Sequence, residues 1–326
     1  MSRSTNWILS MGLGLCLLGA PPAAALAPEE CTGWFPDFRC DRSGRWEGFE
    51  MPIVQPYLFE DPFITTNAVG VYKYHEFPEQ SAFQGGHAHA AALQLRVALT
   101  DRLALIATKD GYMWLRPDNP LIADANGWMN IGAGLKYAII QSEEHQFILS
   151  GALRAEFATG SKDVYAGGSD WLIMPSGSFA WGATDKINII GDLGGIIPTD
   201  GGTFSSQIFY HLYADYEVHR HFQPFVQLSG IYYVESGNGQ RDVDIRNGPT
   251  VPLNTAQNVL GTGRFEGGDV LNLGSRGVDN NDYVTWAIGA HFPINDHVTL
   301  SVAYERPFSR KDITKQRVTT ALRLEF

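Results

Sequence analysis

The sequence predicts an all-β fold: a transmembrane, antiparallel, up-and-down β-barrel of about 12 strands. Three observations predict it. Segments of roughly ten residues alternate apolar with polar or small side chains. The connections between them alternate short and long. An export signal opens a chain that holds no later apolar run of helix-spanning length.

The chain has 326 residues with 35 Gly, 12% aromatics and 18% charged residues, which suits many turns and strands better than a helical enzyme. Mean hydropathy near zero excludes a bundle of membrane helices. The formal net charge of -11 argues against nucleic-acid binding, which needs a basic face. After residue 25 no stretch reaches about 18 consecutive apolar residues. The mature chain can therefore cross a bilayer only as a closed barrel, because open strands leave backbone groups unpaired in lipid.

Residues 1–25 read as a signal peptide. Arg3 supplies the positive start, Trp7 to Ala20 the apolar segment, and Ala23-Ala24-Ala25 the small residues of a cleavage site after Ala25. Cys16 lies inside the apolar segment without the small residue a lipoprotein signal needs before its cysteine. Residues 26–62 form a leader expected to lie in the periplasm or plug the barrel. Cys31 and Cys40 then make an even pair in an oxidising compartment, and a disulfide is expected. A metal or redox site there lacks further ligands at suitable spacing.

The barrel is expected over 63–326, and its last strand is the most explicit. Val318, Leu322, Leu324 and Phe326 alternate with Arg317, Thr319, Ala321, Arg323 and Glu325, and Phe326 in that phase resembles the terminal signal that assembly machinery reads. Reading backwards, Val298, Leu300, Val302 and Tyr304 repeat the pattern, as do Val284, Trp286, Ile288, Ala290 and Phe292. Ile208, Tyr210, Leu212, Ala214 and Tyr216 face away from Gln207, His211, Asp215 and Glu217. Phe147, Leu149, Gly151, Leu153, Ala155 and Phe157 face away from Ser150, Arg154 and Glu156. Five short turns (100–102, 141–145, 184–186, 219–221, 295–297) separate longer connections at 78–86, 115–128, 158–170, 199–204, 235–282 and 307–315. With two termini at the short-turn end, twelve strands follow. Aromatics such as Trp114, Trp128, Trp181, Tyr216, Phe222 and Phe292 fall near strand ends, where interfacial girdles place them.

This plan of signal, leader with Pro56 and Asp61-Pro62, about twelve strands and terminal Phe326 resembles the outer-membrane transport barrels of a phenol-degradation (meta-cleavage) pathway family. The resemblance implies transport of small molecules, aromatic or apolar ones included. It carries no site residues across.

Charged positions on the inward face are the main functional candidates: Arg96, Lys136, Arg154, Glu156, Asp192, Asp215, Glu217, Glu305, Arg317 and Arg323. In a twelve-stranded lumen they either line a pathway with charges of both signs or pair with one another and brace a closed barrel. The 235–282 connection is the longest. Its glycines argue against helical periodicity, and it either constricts the lumen or meets an external partner. Asp279 to Asp282 could offer oxygen ligands to a cation, but reads better as a solvated turn. His87 and His89 share one face and read as interfacial histidines rather than metal ligands. His211, Asp215 and Ser229 share the inward face, yet residues four apart on a strand sit about 13 Å apart, too far for a catalytic relay.

The expected function is an outer-membrane channel passing small solutes by passive diffusion. The alternatives are a structural or surface-interaction barrel whose long loop binds a partner and, less favoured, a lipid hydrolase. No catalytic site, cofactor or metal is expected. The expected partners are outer-membrane lipid, the barrel assembly machinery and a small-molecule solute, with no nucleic acid. The oligomeric state is left open.

Overall fold

In the computed structural model, residue 46 and residues 48–326 are described, except 168, 169, 201, 263 and 264. The signal segment, Cys31 and Cys40 lie outside them. The strands are β1 (Asn67–Glu76), β2 (Gly86–Ala98), β3 (Leu103–Lys109), β4 (Tyr112–Pro117), β5 (Ala125–Trp128), β6 (Ile131–Ser142), β7 (Phe147–Phe157), β8 (Leu172–Thr184), β9 (Ile187–Pro198), β10 (Ser206–Tyr216), β11 (Gln223–Glu235), β12 (Asp242–Asp244), β13 (Thr250–Pro252), β14 (Asn281–Asn295), β15 (Val298–Pro307) and β16 (Gln316–Glu325), with one helix, α1 (Leu253–Leu260).

Fourteen strands form one sheet, and it closes. β1 pairs antiparallel with β16 on one side, with Asn67 opposite Glu325, and with β2 on the other, with Asn67 opposite Arg96. β2 pairs with both β3 and β4, while β3 pairs with β6 and β4 with β5. β3 with β4, and β5 with β6, are two interrupted strands, so the barrel has twelve, as its turns imply. The β3–β4 interruption sits at Asp110-Gly111. Gly111 has φ +103°, and a Cβ there would lie 2.3 Å from the Ala91 carbonyl oxygen. Asp110 Oδ1 accepts the Leu93 amide at 2.8 Å, replacing a ladder bond that the break removes. The sequence expectation of a loop over 115–128 is thereby shortened, because 125–128 rejoins the sheet.

Period-two alternation sets the two faces of the wall. Leu93, Leu153, Leu193, Leu212, Val226, Ile288 and Leu322 point outward and are exposed, Leu193 by 60%. Apolar surface in water costs about 25 cal/mol per Å², so a continuous belt of this kind belongs in lipid. Tyr137, Trp181, Tyr216, Phe222 and Phe292 border it near the short turns. Trp114, Trp128, Trp171 and Tyr232 border it near the long loops. Among the described residues no helix is long and apolar enough to cross a membrane.

The inside is packed. Trp46 and the segment from Gly48 to Thr66 run within the barrel near the short-turn end, and Trp46, Phe49, Ile53, Val54, Phe59 and Phe63 form an apolar cluster against inward residues of the wall. The 236–280 loop packs into the opposite end, where Val243, Leu253, Phe265, Leu271 and Leu273 join Phe83, Met113 and Leu115. Contrary to the glycine-based expectation, this loop holds a β12–β13 hairpin and α1. The helix occupies the glycine-free run between Gly248 and Gly261, begins after Pro252 and ends on Gly261 in the left-handed region.

Candidate functional site

The lumen is the candidate site, and its chemistry comes from the inward side of each strand. Arg96 on β2 forks onto one leader carboxylate: Nε to Glu60 Oε1 at 2.9 Å and Nη2 to Glu60 Oε2 at 2.7 Å. Lys136 on β6 adds a bond to Glu60 Oε1 at 2.7 Å and contacts Asp61 Oδ1 at 3.2 Å. Burial works against the charge on Glu60, but Arg96 and Lys136 outweigh it and hold its carboxyl down at about 2. Arg154 on β7 donates to the Tyr57 and Leu58 carbonyls at 2.6 and 2.9 Å. Near the short-turn end Arg323 pairs with Glu50 at 2.7 Å.

A tight turn places these leader groups. Gln55 adopts a left-handed φ of 53°, and its carbonyl accepts the Leu58 and Phe59 amides. Its side-chain amide donates to Thr285 Oγ1 and Glu305 Oε1 at 3.1 and 2.9 Å. Phe59 stacks on His211 with centroids 4.8 Å apart.

From the other end the loop inserts Asp269. It pairs with Lys73 on β1 at 2.5 Å and with Arg317 on β16 at 3.0 Å, and Arg317 also lies 3.5 Å from Glu305. Burial opposes the Asp269 charge, yet Arg317 and Lys73 draw its carboxyl well below the usual range. Gly268, at φ +81°, permits this approach, since a Cβ there would meet Arg317 Nη2 at 2.9 Å. Burial instead raises the neighbouring Glu266, restrained by amide donors from Gly267, Leu273 and Ser275. Lys109 bonds Glu156 at 2.7 Å and the Val270 carbonyl at 2.8 Å, and Tyr57 hydroxyl also reaches Glu156. Two small cavities of about 30 and 40 Å³ remain between β1, β2 and the loop, sharing Lys73, Ala90, Asp269 and Val270.

Of the ten inward charges read from the sequence, Arg96, Lys136, Arg154, Glu156, Asp192, Asp215, Glu305, Arg317 and Arg323 are buried inside the barrel, and Glu217 is partly exposed beside Gly48. Asp192 bonds His211 Nδ1 at 2.5 Å, and Asp215 accepts from Tyr213 and Asn188 at 2.8 and 2.9 Å. Sequence reasoning missed Lys73 and Lys109, although both sit on inward phases. It also missed Glu50, Glu60, Asp61 and Asp269, which lie on irregular segments where no period marks a face.

The remaining candidates separate. His87 and His89 face outward beside Tyr74, and His89 Nδ1 lies 2.5 Å from the Tyr72 hydroxyl. Ser236 Oγ bonds Asp279, while Asn281 donates to the Val278 and Asp279 carbonyls. Among the described residues no group of three or more His, Cys, Asp or Glu is placed to hold a metal. His211 Nε2 faces Gln55 Oε1 at 3.2 Å, and Ser229 Oγ accepts from Gln227 at 2.8 Å. Phe326, half-exposed, donates its amide to the Thr66 carbonyl where the barrel closes.

Among solved structures, an outer-membrane channel from Pseudomonas putida F1 is similar over 82% of this chain and 98% of its own, with a TM-score of 0.56 at 13% identity. The chain has the fold of an outer-membrane β-barrel. The NanC porin covers 80% of this chain and 98% of its own, at a TM-score of 0.44 and 9% identity. The KdgM porin, solved in complex with disordered oligogalacturonate, covers 79% and 99%, at 0.41 and 11%. No protein-family model matches the chain, and no curated protein matches it. Its place is the outer membrane, where a closed barrel with an apolar belt satisfies every backbone group.

Proposed function

We propose that this barrel is an outer-membrane channel that passes small solutes by passive diffusion, with the 48–66 segment and the 236–280 loop as displaceable occupants of its lumen. One observation carries the reading. Arg96, Lys136, Arg154 and Arg323 bond mainly to the leader rather than to acids of the wall. A barrel braced for rigidity alone would pair its wall charges with each other, as in the Lys109–Glu156 ion pair. Moving the leader uncovers a polar passage narrower than a sixteen-stranded pore. The resemblance to the phenol-degradation family supports including small aromatic molecules among the solutes.

Planar-bilayer recording of the folded mature chain tests this. Discrete conductance steps are expected, larger and more frequent for Glu60→Gln. Silence of both proteins, with solute uptake by vesicles equally absent, would refute the channel.

A further inference from the structure

We propose that the lumen is selective for organic anions, carboxylates foremost, and that the leader and loop occupy its anion sites with carboxylates of their own. The inference rests on the channel reading above. It starts from the sign of each ion pair between the wall and its occupants. Glu60 meets Arg96 and Lys136, Asp269 meets Lys73 and Arg317, and Glu50 meets Arg323. Among the described residues, every ion pair between a strand of the wall and these two segments has the carboxylate on the occupant and the cation on the wall; the reverse pair, Arg246 of the loop with Asp124, is exposed and joins the loop to the β4–β5 connection. Packing alone does not require that asymmetry, since buried ion pairs are no more stabilising than apolar contacts of the same volume.

The cations are also gathered on one arc. Arg317 and Arg323 lie on β16, Lys73 on β1 and Arg96 on β2. Lys109, Lys136 and Arg154 follow on β3, β6 and β7, all neighbours in the sheet. Across the lumen Asp192 and Asp215 lie on β9 and β10, while Glu305 on β15 stands beside Arg317 at the edge of the arc. Among the described residues of the cationic arc, only Glu156 and Glu325 are inward acids, beside Lys109 and Arg323. Such a field runs across the barrel, and in a narrow low-dielectric lumen it is screened less than at a surface, where the Debye length is about 8 Å.

Local geometry specifies a carboxylate. The Arg96 guanidinium binds both oxygens of Glu60 as a planar fork, and Lys136 adds a point charge to one of them. Arg96 Nη1 and Arg317 Nε and Nη2 are buried donors with no hydrogen-bond acceptor among the described residues, so each site keeps capacity for a second acceptor. A permeating carboxylate would exchange with Glu60 and Asp269, replacing one set of bonds with an equivalent one.

The test uses the full mature chain in lipid vesicles and three four-carbon solutes differing in charge: succinate, erythritol and putrescine. Uptake of succinate several-fold faster than putrescine is expected. Lys136→Gln should lower that ratio, while Glu60→Gln and, independently, Asp269→Asn should raise succinate uptake. Slower electrophoretic migration after heating verifies that each barrel is folded. Uptake of all three solutes with no preference for succinate, or a preference untouched by Lys136→Gln, overturns anion selectivity and leaves the channel standing. No uptake of any solute by wild type or either unlatched variant overturns both.

Discussion

Lys136 Nζ lies 2.7 Å from Glu60 Oε1, and neither side chain is reachable by solvent. One residue belongs to a strand of the wall and the other to a segment without regular structure. Their bond, with that of Arg96, is the main polar attachment of the leader at mid-lumen.

Glu60→Gln removes the nearer of the two carboxylates that face Arg96 and Lys136, leaving them Asp61 at 3.8 and 3.2 Å. Removing one partner of a buried pair costs about 3–5 kcal/mol, and here the loss falls on leader docking rather than on the strand ladders. At the lower figure the undocked fraction rises roughly a hundredfold. Protease cleavage within the leader of a vesicle-embedded barrel should accelerate accordingly. An unchanged cleavage half-life would remove Glu60 from this role.

Acid should act on the same latch only at low pH. The Glu60 carboxyl sits at about 2, below its ordinary 4.5, so the unfolded or undocked state binds the proton more readily. Its stabilisation is complete above pH 4.5 and is lost as pH falls through about 2. Leader protection should stay level from pH 7 to 5 and decline below that. Loss of protection centred near pH 6 would assign the latch to another group.

Leu193, midway along β9 and 60% exposed, reports on the lipid face. Leu193→Arg should destabilise the barrel by roughly 2–4 kcal/mol, whereas Asp185→Arg in the adjoining short turn should change stability little. Urea titration in vesicles, followed by tryptophan fluorescence, measures both. Equal effects would mean that Leu193 does not face the bilayer interior.

The break at Gly111 is a built feature with a measurable cost. Gly111→Val combines an unfavourable positive φ with a clash against the Ala91 carbonyl, and should cost more than the ~1 kcal/mol expected for Gly261→Ala, which meets nothing within 4 Å. Thermal loss of the folded electrophoretic form ranks the two. The reverse order would show that β2–β4 pairing tolerates a side chain there.

Deleting 240–278 removes Asp269 and uncovers Lys73 and Arg317. Single-channel conductance should rise. Unchanged conductance would place the loop outside the solute path, leaving an external partner as its use.

Much of the wall is legible in the sequence. Arg96, Lys136 and Arg154 could be assigned inward because successive side chains on a strand alternate faces, so local pattern and global position coincide. Short turns counted the strands for the same reason. The interruption at Asp110-Gly111 was not legible, because a bulge changes pairing without changing composition. Nor was α1, hidden in a loop whose flanking glycines dominate the pattern. Glu60, Asp61 and Asp269 carried no signal at all: they occupy irregular backbone, where nothing periodic tells inside from outside.

By itself, the sequence determined a twelve-stranded wall, its apolar outside and its charged inside, since each follows from a two-residue repeat. What fills that inside was decided only by the tertiary structure. Gln55 bonds Thr285 and Glu305, 230 and 250 positions away, and Asp269 joins cations from β1 and β16. Such pairs exist because closing the barrel brings distant strands around one axis, and no local periodicity encodes which distant group will stand opposite.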